Sequence, residues 1–232
     1  MNLTLFDLDG TLIPGDSDHA FGAFMVEIGW ADGHDWAAAN DQFYADYLAG
    51  KLDLDAYIAF ATSAWRHRPL AEALAMRERF VAEKMAPMLH DSARALVQKH
   101  RAAGDLMACV TATNEFVTAP IAAAFGLEHL IAVRLQREGG WGGGEEGGGE
   151  GAYTGAVLGV PSYQAGKISR VDEWLAGLGR QWTDFERVTF YSDSVNDLPL
   201  LERVSHPVAT NATAALAQIA LQRGWATLNL FA

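Results

Sequence analysis

Apolar residues along this chain follow two rhythms. Four runs are short and largely apolar, as in strands covered on both faces: Leu3 to Phe6, Leu106 to Val110, Val188 to Ser192 and Pro207 to Ala209. The stretches between them have helical spacing or are rich in alanine. One opens at Asp91 or Ser92, closes at Gly104 and turns Leu96 and Val97 inward; another repeats Ile168, Val171, Leu175 and Leu178 after Lys167. Strands alternating with helices predict an α/β fold with a parallel sheet covered by helices.

The first two strands are separated by the whole of 7–105, far beyond the roughly 2 to 6 residues of an ordinary strand-to-helix connection. Gly15 to Lys84 is rich in Ala, Trp, Tyr and Phe and offers helix starts at Asp16, Asp35 and Asp53. This predicts a small helical domain over 15–84, inserted into a core made of 1–14 and 85–232. Its aromatic residues, among them Trp30, Trp36, Phe43, Tyr47, Tyr57, Phe60 and Trp65, are expected to form that domain's own core. A strand-like Ala132 to Leu135 precedes the glycine-rich 139–151 and a polar return, which together predict a long hairpin with a flexible tip. Glycine-rich loops can cradle phosphate, but the nucleotide P-loop pattern fails here. Its first glycine would fall at Pro161, and Ile168 rather than Ser or Thr follows Lys167.

Composition narrows the partners. With 232 residues, half of them apolar, the chain can bury a full core, and its net charge of -12 argues against a nucleic-acid backbone as ligand. A small anion must therefore be met by local groups. Cys109, the single cysteine, stands in an apolar run and reads as a buried thiol in a reducing compartment. Neither a leader-like N-terminus nor an apolar run long enough for a bilayer is visible, so the expectation is a soluble cytoplasmic protein without a membrane partner.

Four features carry candidate chemistry, each at or just past the end of a predicted strand: Asp7, Asp9 and Thr11; Thr111 in CVTATN; Lys167 in AGKISR; and Asp193, Asn196 and Asp197 in YSDSVND. Alone, each has a plain structural reading as a helix cap, a strand end or a solvated lysine. Parallel strands bring their carboxyl ends to one edge, however, so all four features are expected in one crevice. Carboxylates crowded there raise one another's pKa unless a cation sits among them, and oxygen-only ligands suit Mg²⁺. Lys167 and the Thr111 hydroxyl would add donors around the oxygens of a phosphoryl group.

In this ordered set of motifs the sequence resembles the haloacid dehalogenase superfamily, within it the phosphoserine-phosphatase-like hydrolases with a helical cap. The resemblance implies a Rossmann-like doubly wound parallel sheet with a C1-type helical cap inserted after the first strand. It implies Asp7 as nucleophile and Asp9 as the acid that protonates the leaving alkoxide and then activates water. Mg²⁺ would be held by Asp7, the backbone carbonyl of Asp9, and Asp193, with Asp197 orienting the metal's waters and Asn196 facing the substrate. Thr111, the amide of Ala112, and Lys167 would hold the phosphoryl group of a small phosphorylated metabolite. Dehalogenases of the superfamily lack the second acid, which is present here as Asp9. A catalytically silent binding or regulatory module is the alternative, and the completeness of the motifs speaks against it.

Substrate choice is read from the helical insert. Phosphoserine phosphatases carry a glutamate after the first motif that meets the substrate amine, and Asp16 stands at that place. Their cap arginine, which meets the substrate carboxylate, aligns near Ala59, and no Arg or Lys occurs between Leu52 and Trp65. A buried substrate carboxylate would lack its fork-shaped partner. The resemblance therefore favours a phosphorylated amino alcohol without a carboxylate, histidinol phosphate, over phosphoserine; Arg66 or Arg68 would restore the phosphoserine reading if either reached the site.

Overall fold

A computed structural model describes residues 1–138 and 152–231. In chain order the elements are β1 (Leu3–Phe6), α1 (Ser17–Glu27), α2 (Gly33–Leu48), α3 (Leu54–Ser63), α4 (Leu70–Phe80), α5 (Asp91–Ala102), β2 (Leu106–Asn114), α6 (Glu115–Ala124), β3 (Leu130–Val133), β4 (Leu135–Arg137), β5 (Tyr153–Val157), α7 (Gly166–Gly177), β6 (Val188–Ser192), α8 (Leu198–Arg203), β7 (His206–Thr210), α9 (Ala214–Arg223) and β8 (Ala226–Leu228). Six strands form one sheet in the order β3-β2-β1-β6-β7-β8, every neighbouring pair parallel. The chain starts in the middle, winds outward to β3, then returns to β6 and winds the other way. That reversal opens a crevice between β1 and β6 at their carboxyl ends, the place where doubly wound sheets take ligands.

Side chains of β1 alternate between two apolar layers. Leu3 and Leu5 join Ala108, Val110 and Phe190 beneath α7, α8 and α9, while Phe6 and Cys109 face α5, α6 and α1. Both faces are covered, so the strands read as nearly continuous apolar runs. The expected ends shift modestly. Asp35 falls in the first turn of α2, whose N-cap position is Asp32, and α5 opens at Asp91 after His90. Gly104 follows the C-cap Ala103 with a left-handed backbone, φ 73°. The strand-like run Ala132 to Leu135 is two strands, because the chain leaves the main sheet at Arg134 to start the antiparallel β4–β5 hairpin. The tip expected over 139–151 lies outside the described residues.

The helices between β1 and β2 correct one expectation. Their aromatic residues do not close on themselves; the apolar cluster runs without a break from α1 and α4 into α6 and β1. Phe80 of α4 packs on Phe21 and Phe24 of α1 with ring centroids 4.9 and 5.6 Å apart, and Trp65 stacks on Phe116 of α6 at 4.0 Å. Trp36, Phe43, Tyr57 and Phe60 make a cluster local to α2 and α3, whereas the Phe21, Phe24 and Phe80 cluster continues through Phe21 to Phe116 of α6. The physical reason is length: α1 and α4 flank the chain crossings to the sheet, so their apolar faces have the sheet's own layer to pack against. Among the described residues no helix is long and apolar enough to cross a membrane.

A shared core has a measurable signature. Phe80→Ala empties a fully buried ring site and is expected to cost about 3 to 5 kcal/mol. Urea unfolding followed by tryptophan fluorescence and by far-ultraviolet circular dichroism should still give coincident transitions; two resolved transitions would mean that the helices unfold as a separate unit.

Candidate active site

Past Phe6 the strand pairing of β1 gives way to a tight loop in which the amides of Thr11, Leu12 and Ile13 all turn back to the carbonyl of Leu8. Gly10 makes this loop possible: its φ is 74°, and a Cβ there would lie 2.4 Å from a carboxylate oxygen of Asp193. The loop therefore presses backbone against the end of β6, so that Asp7 and Asp193 share one crevice. The Thr11 hydroxyl sits between them, 3.4 Å from Asp7 Oδ2 and 3.2 Å from Asp193 Oδ1. Asn211, after β7, braces the loop by donating to the carbonyls of Gly10 and Thr11 at 2.9 and 3.0 Å.

Lys167 arrives from the first turn of α7. Gly166 before it packs against the carbonyl of Pro161, where a Cβ would lie 2.2 Å away, so the helix start can sit deep. The Lys167 ammonium is buried and lies 2.8 Å from Asp7 Oδ1 and 2.6 Å from Asp197 Oδ1. Burial alone would pull its pKa down, but the charges of Asp197 and Asp7 outweigh it and hold the ammonium charged above its usual range. Asp197 takes a second bond from the Ser192 hydroxyl at 2.7 Å. Burial pushes the Asp7 carboxyl up to about 7 against the pull of Lys167. Asp193 is pushed well above the carboxylate range by burial and by the charges of Asp7 and Asp197.

Asp9 faces the other way, toward β2. Its Oδ1 accepts from the Ser17 amide at 2.6 Å, and its Oδ2 accepts from the Thr113 hydroxyl at 2.8 Å and lies 3.5 Å from the Thr111 hydroxyl. Burial, with the charge of Asp16 behind it, pushes this carboxyl up to about 7. A carboxyl balanced near neutrality can give a proton and take one back. Thr111, Ala112 and Thr113 occupy an irregular stretch of β2: Val110 pairs with Ile131 and Asn114 with Val133, so β2 has two more residues than β3 between these pairs. Bulges of this kind re-aim side chains beside active sites. Asn196 also sits at the rim, and its amide donates to the carbonyl of Tyr47 on α2 at 2.9 Å, tying the helical insert to the sheet.

The crevice continues into a pocket of about 30 Å³ beneath α1, α2 and α3, room for one or two waters. Asp16, Asp18, Phe43, Tyr44, Tyr47 and Tyr57 line it, with Ala112 and with Thr113, whose hydroxyl is bonded to Asp9. Asp16 also caps α1 by accepting from the His19 amide at 2.8 Å. Neither candidate arginine reaches this pocket. Arg66 donates to the carbonyl of Ala59 at 3.0 Å and lies against Gly155 of β5, and Arg68 lies over Trp30 and pairs with Glu72. Ala59 itself is exposed, whereas Leu54 and Tyr57 are the α3 residues that line the pocket. The position near Ala59 expected for a cap arginine therefore lies two residues, over half a helical turn, from Tyr57. Thr113, Asp18 and Tyr57 were missed in the sequence; for Thr113 the signal was its alternation with Thr111, two residues apart on one strand.

Because Gly10 meets Asp193 directly, Gly10→Ala is expected to lower turnover at least a hundredfold while far-ultraviolet circular dichroism stays native. Full activity in the variant would show that the loop can move away from β6 without consequence.

The comparisons with known proteins agree with this geometry. Residues 4–202 match the family model of haloacid dehalogenase-like hydrolases. The chain is 40% identical to a histidinol-phosphatase of Neisseria meningitidis, covering 98% of each. It is 31% identical to a phosphoserine phosphatase of Mycobacterium tuberculosis, over 95% of this chain and 68% of that protein. Among solved structures it is similar to a protein of unknown function from Bordetella pertussis, with a TM-score of 0.89 and 42% identity over 99% of both chains. A substrate-bound phosphoserine phosphatase shares the fold, with a TM-score of 0.64 at 16% identity over 94% of this chain and 89% of that one. The chain belongs to the haloacid dehalogenase-like hydrolase family and is a phosphatase of that family.

Proposed function

We propose that this phosphatase is a Mg²⁺-dependent phosphomonoesterase that works through a phosphoaspartate on Asp7, with histidinol phosphate as its substrate. The observation that carries the substrate is the pocket beside Asp9: two carboxylates and four aromatic side chains line it, and no lysine or arginine is among its lining residues. A leaving group with an ammonium is favoured there, and one with a carboxylate would be buried without a partner. The 40% identical histidinol-phosphatase supports the same choice.

The donor set fits the metal. Asp7 and Asp197 share the single Lys167 ammonium while Asp193 and Asp9 crowd the same crevice, and burial, together with the neighbouring carboxylates, keeps the carboxyls of Asp7 and Asp193 raised. All the donors are oxygens, which suits a small hard cation. Asp7 and Asp193 would hold Mg²⁺ together with the backbone carbonyl of Asp9, and Asp197 would act from behind. When bound, the ion neutralises charge on the transferring phosphoryl group.

The residues then divide the chemistry. An Asp7 carboxylate oxygen attacks phosphorus as the bond from phosphorus to the alcohol oxygen breaks, and Asp9 gives its proton to that oxygen. In the second half Asp9 takes a proton from water as the water attacks the phosphoaspartate, which releases Asp7 and inorganic phosphate. Lys167, the Thr111 hydroxyl and the amide of Ala112 hold the phosphoryl oxygens. Residues 15–84 act as the cap. A pocket with room for one or two waters is the closed form, so an alcohol enters only when α2 lifts and the bond from Asn196 to Tyr47 opens.

Chelation with EDTA should abolish hydrolysis and added Mg²⁺ restore it. Asp7→Asn is expected to remove turnover altogether, and Asp9→Asn to slow both halves by about 10² to 10⁴. Near-native hydrolysis by Asp7→Asn would refute the phosphoaspartate route. In steady-state assays histidinol phosphate should exceed phosphoserine in kcat/KM by about tenfold to a thousandfold; the reverse order would overturn the substrate assignment.

A further inference from the structure

Asp18 is unexplained by the chemistry above. It lies at the start of α1, is 6% exposed, and turns into the pocket two residues after Asp16. Its Oδ1 accepts from the Asn114 side-chain amide at 3.1 Å, and the Tyr57 hydroxyl also donates to it. Asn114 in turn caps α6 through its own oxygen, accepting from the Val117 amide at 3.2 Å. These bonds join α1, α3 and the end of β2, but they need only an acceptor, and a neutral amide oxygen would serve. The cap of α1 is already supplied by Asp16. Structure therefore accounts for the polarity of Asp18 and not for its charge.

The pocket gives the charge a use. Asp16 and Asp18 enter it together, no lysine or arginine lines it, and the aromatic side chains Phe43, Tyr44, Tyr47 and Tyr57 line it with them, as does the His19 imidazole. His19 is engaged elsewhere, 2.7 Å from Asp41 and stacked on Tyr44 with centroids 4.7 Å apart. Once α2 lifts, two buried carboxylates beside aromatic walls offer partners to two positive or N–H-bearing groups, one on each, with a planar ring held between tyrosine faces.

We propose that Asp18 is a second specificity carboxylate: Asp16 takes an ammonium of the leaving alcohol and Asp18, framed by Tyr57 and Asn114, takes a ring N–H, so preferred substrates are phosphate esters of alcohols bearing two basic nitrogens. This rests on the phosphomonoesterase reading above and sharpens it, because one amine is no longer enough. Ethanolamine phosphate, with an ammonium alone, is a poor substrate on this view. An alcohol carrying both an ammonium and an imidazole meets both carboxylates.

The test uses Asp18→Asn, which keeps the size of the side chain and an acceptor for Asn114 and Tyr57. With Mg²⁺ present, the ratio of kcat/KM for histidinol phosphate to that for 4-nitrophenyl phosphate should fall at least thirtyfold in the variant. A ratio within twofold of the parent's would leave Asp18 as a purely structural tie and overturn the proposal. Calorimetric binding to the parent enzyme needs no variant and no turnover. Histidinol should bind at least tenfold more tightly than ethanolamine, and equal affinities sink the two-nitrogen rule even if Asp18→Asn does not fold. If the parent hydrolyses neither ester, the phosphomonoesterase reading fails by itself. Histidinol binding that is selective in the parent still supports the pocket in that case, and absent selectivity overturns it.

Discussion

The Lys167 ammonium is held between Asp7 and Asp197 at 2.8 and 2.6 Å with almost no exposure to solvent, and the rest of the rim is arranged around that contact. Burying three ionised groups is costly, and their attraction compensates only when geometry is held closely and the remaining lone pairs are met. Here it is held from three directions. Asp7 comes from the end of the central strand, Lys167 from a helix start seated deep by Gly166, and Asp197 from the turn after β6, braced by Ser192. Removing the ammonium would leave two carboxylates facing each other in a dry crevice, which ties folding of the rim to the same residue proposed to hold the phosphoryl group.

Even so, one ammonium cannot balance the crevice. Asp193 and Asp9 add charge on either side, and the two acids respond differently because their surroundings differ. Asp193 is repelled by Asp7 and Asp197 and has mainly the Thr11 hydroxyl for relief. Asp9 looks away from that group and is offset by the Ser17 amide at the start of α1 and the Thr113 hydroxyl on the irregular part of β2. A donor pair of this kind stabilises the ionised form just enough to bring a buried carboxyl back toward neutrality. The extra residues in β2 matter for this reason: without them Thr113 would follow the regular pleat of the strand rather than lean over Asp9.

Much of this was legible in the sequence, for a reason that also marks the limit. Apolar runs ending in carboxylates, hydroxyls and a lysine lie within a few residues of strand ends, and parallel topology alone carries such ends to one edge, so Asp7, Asp9, Thr111, Lys167 and Asp193 could be gathered without coordinates. The pocket depends on contacts between elements far apart in the chain. Asp18 meets Asn114 and Tyr57 across the insert, and which face of α3 turns inward is set by packing of Tyr57 and Phe43 rather than by any local pattern. The same limit misdirected the aromatic residues. Trp65 sits in a segment that reads as part of a self-contained helical unit, yet its partner Phe116 belongs to α6.

The charged rim and the aromatic walls of the pocket are thus supplied by different parts of the chain. The carboxylates and the lysine of the crevice stand on strand ends and on α7, which share the layers of the sheet, while Phe43, Tyr44, Tyr47 and Tyr57 come from α2 and α3, whose aromatic rings pack on one another. Of the contacts between these parts, the bond from Asn196 to Tyr47 spans the mouth directly. On the proposed reading, a leaving group that satisfied Asp16 and Asp18 would relieve their repulsion and so favour closure, and closure would exclude water from the phosphoryl group. Recognition of the alcohol's nitrogens would then be expressed as closure over the phosphate, so that binding energy made far from phosphorus would be used where the bond breaks.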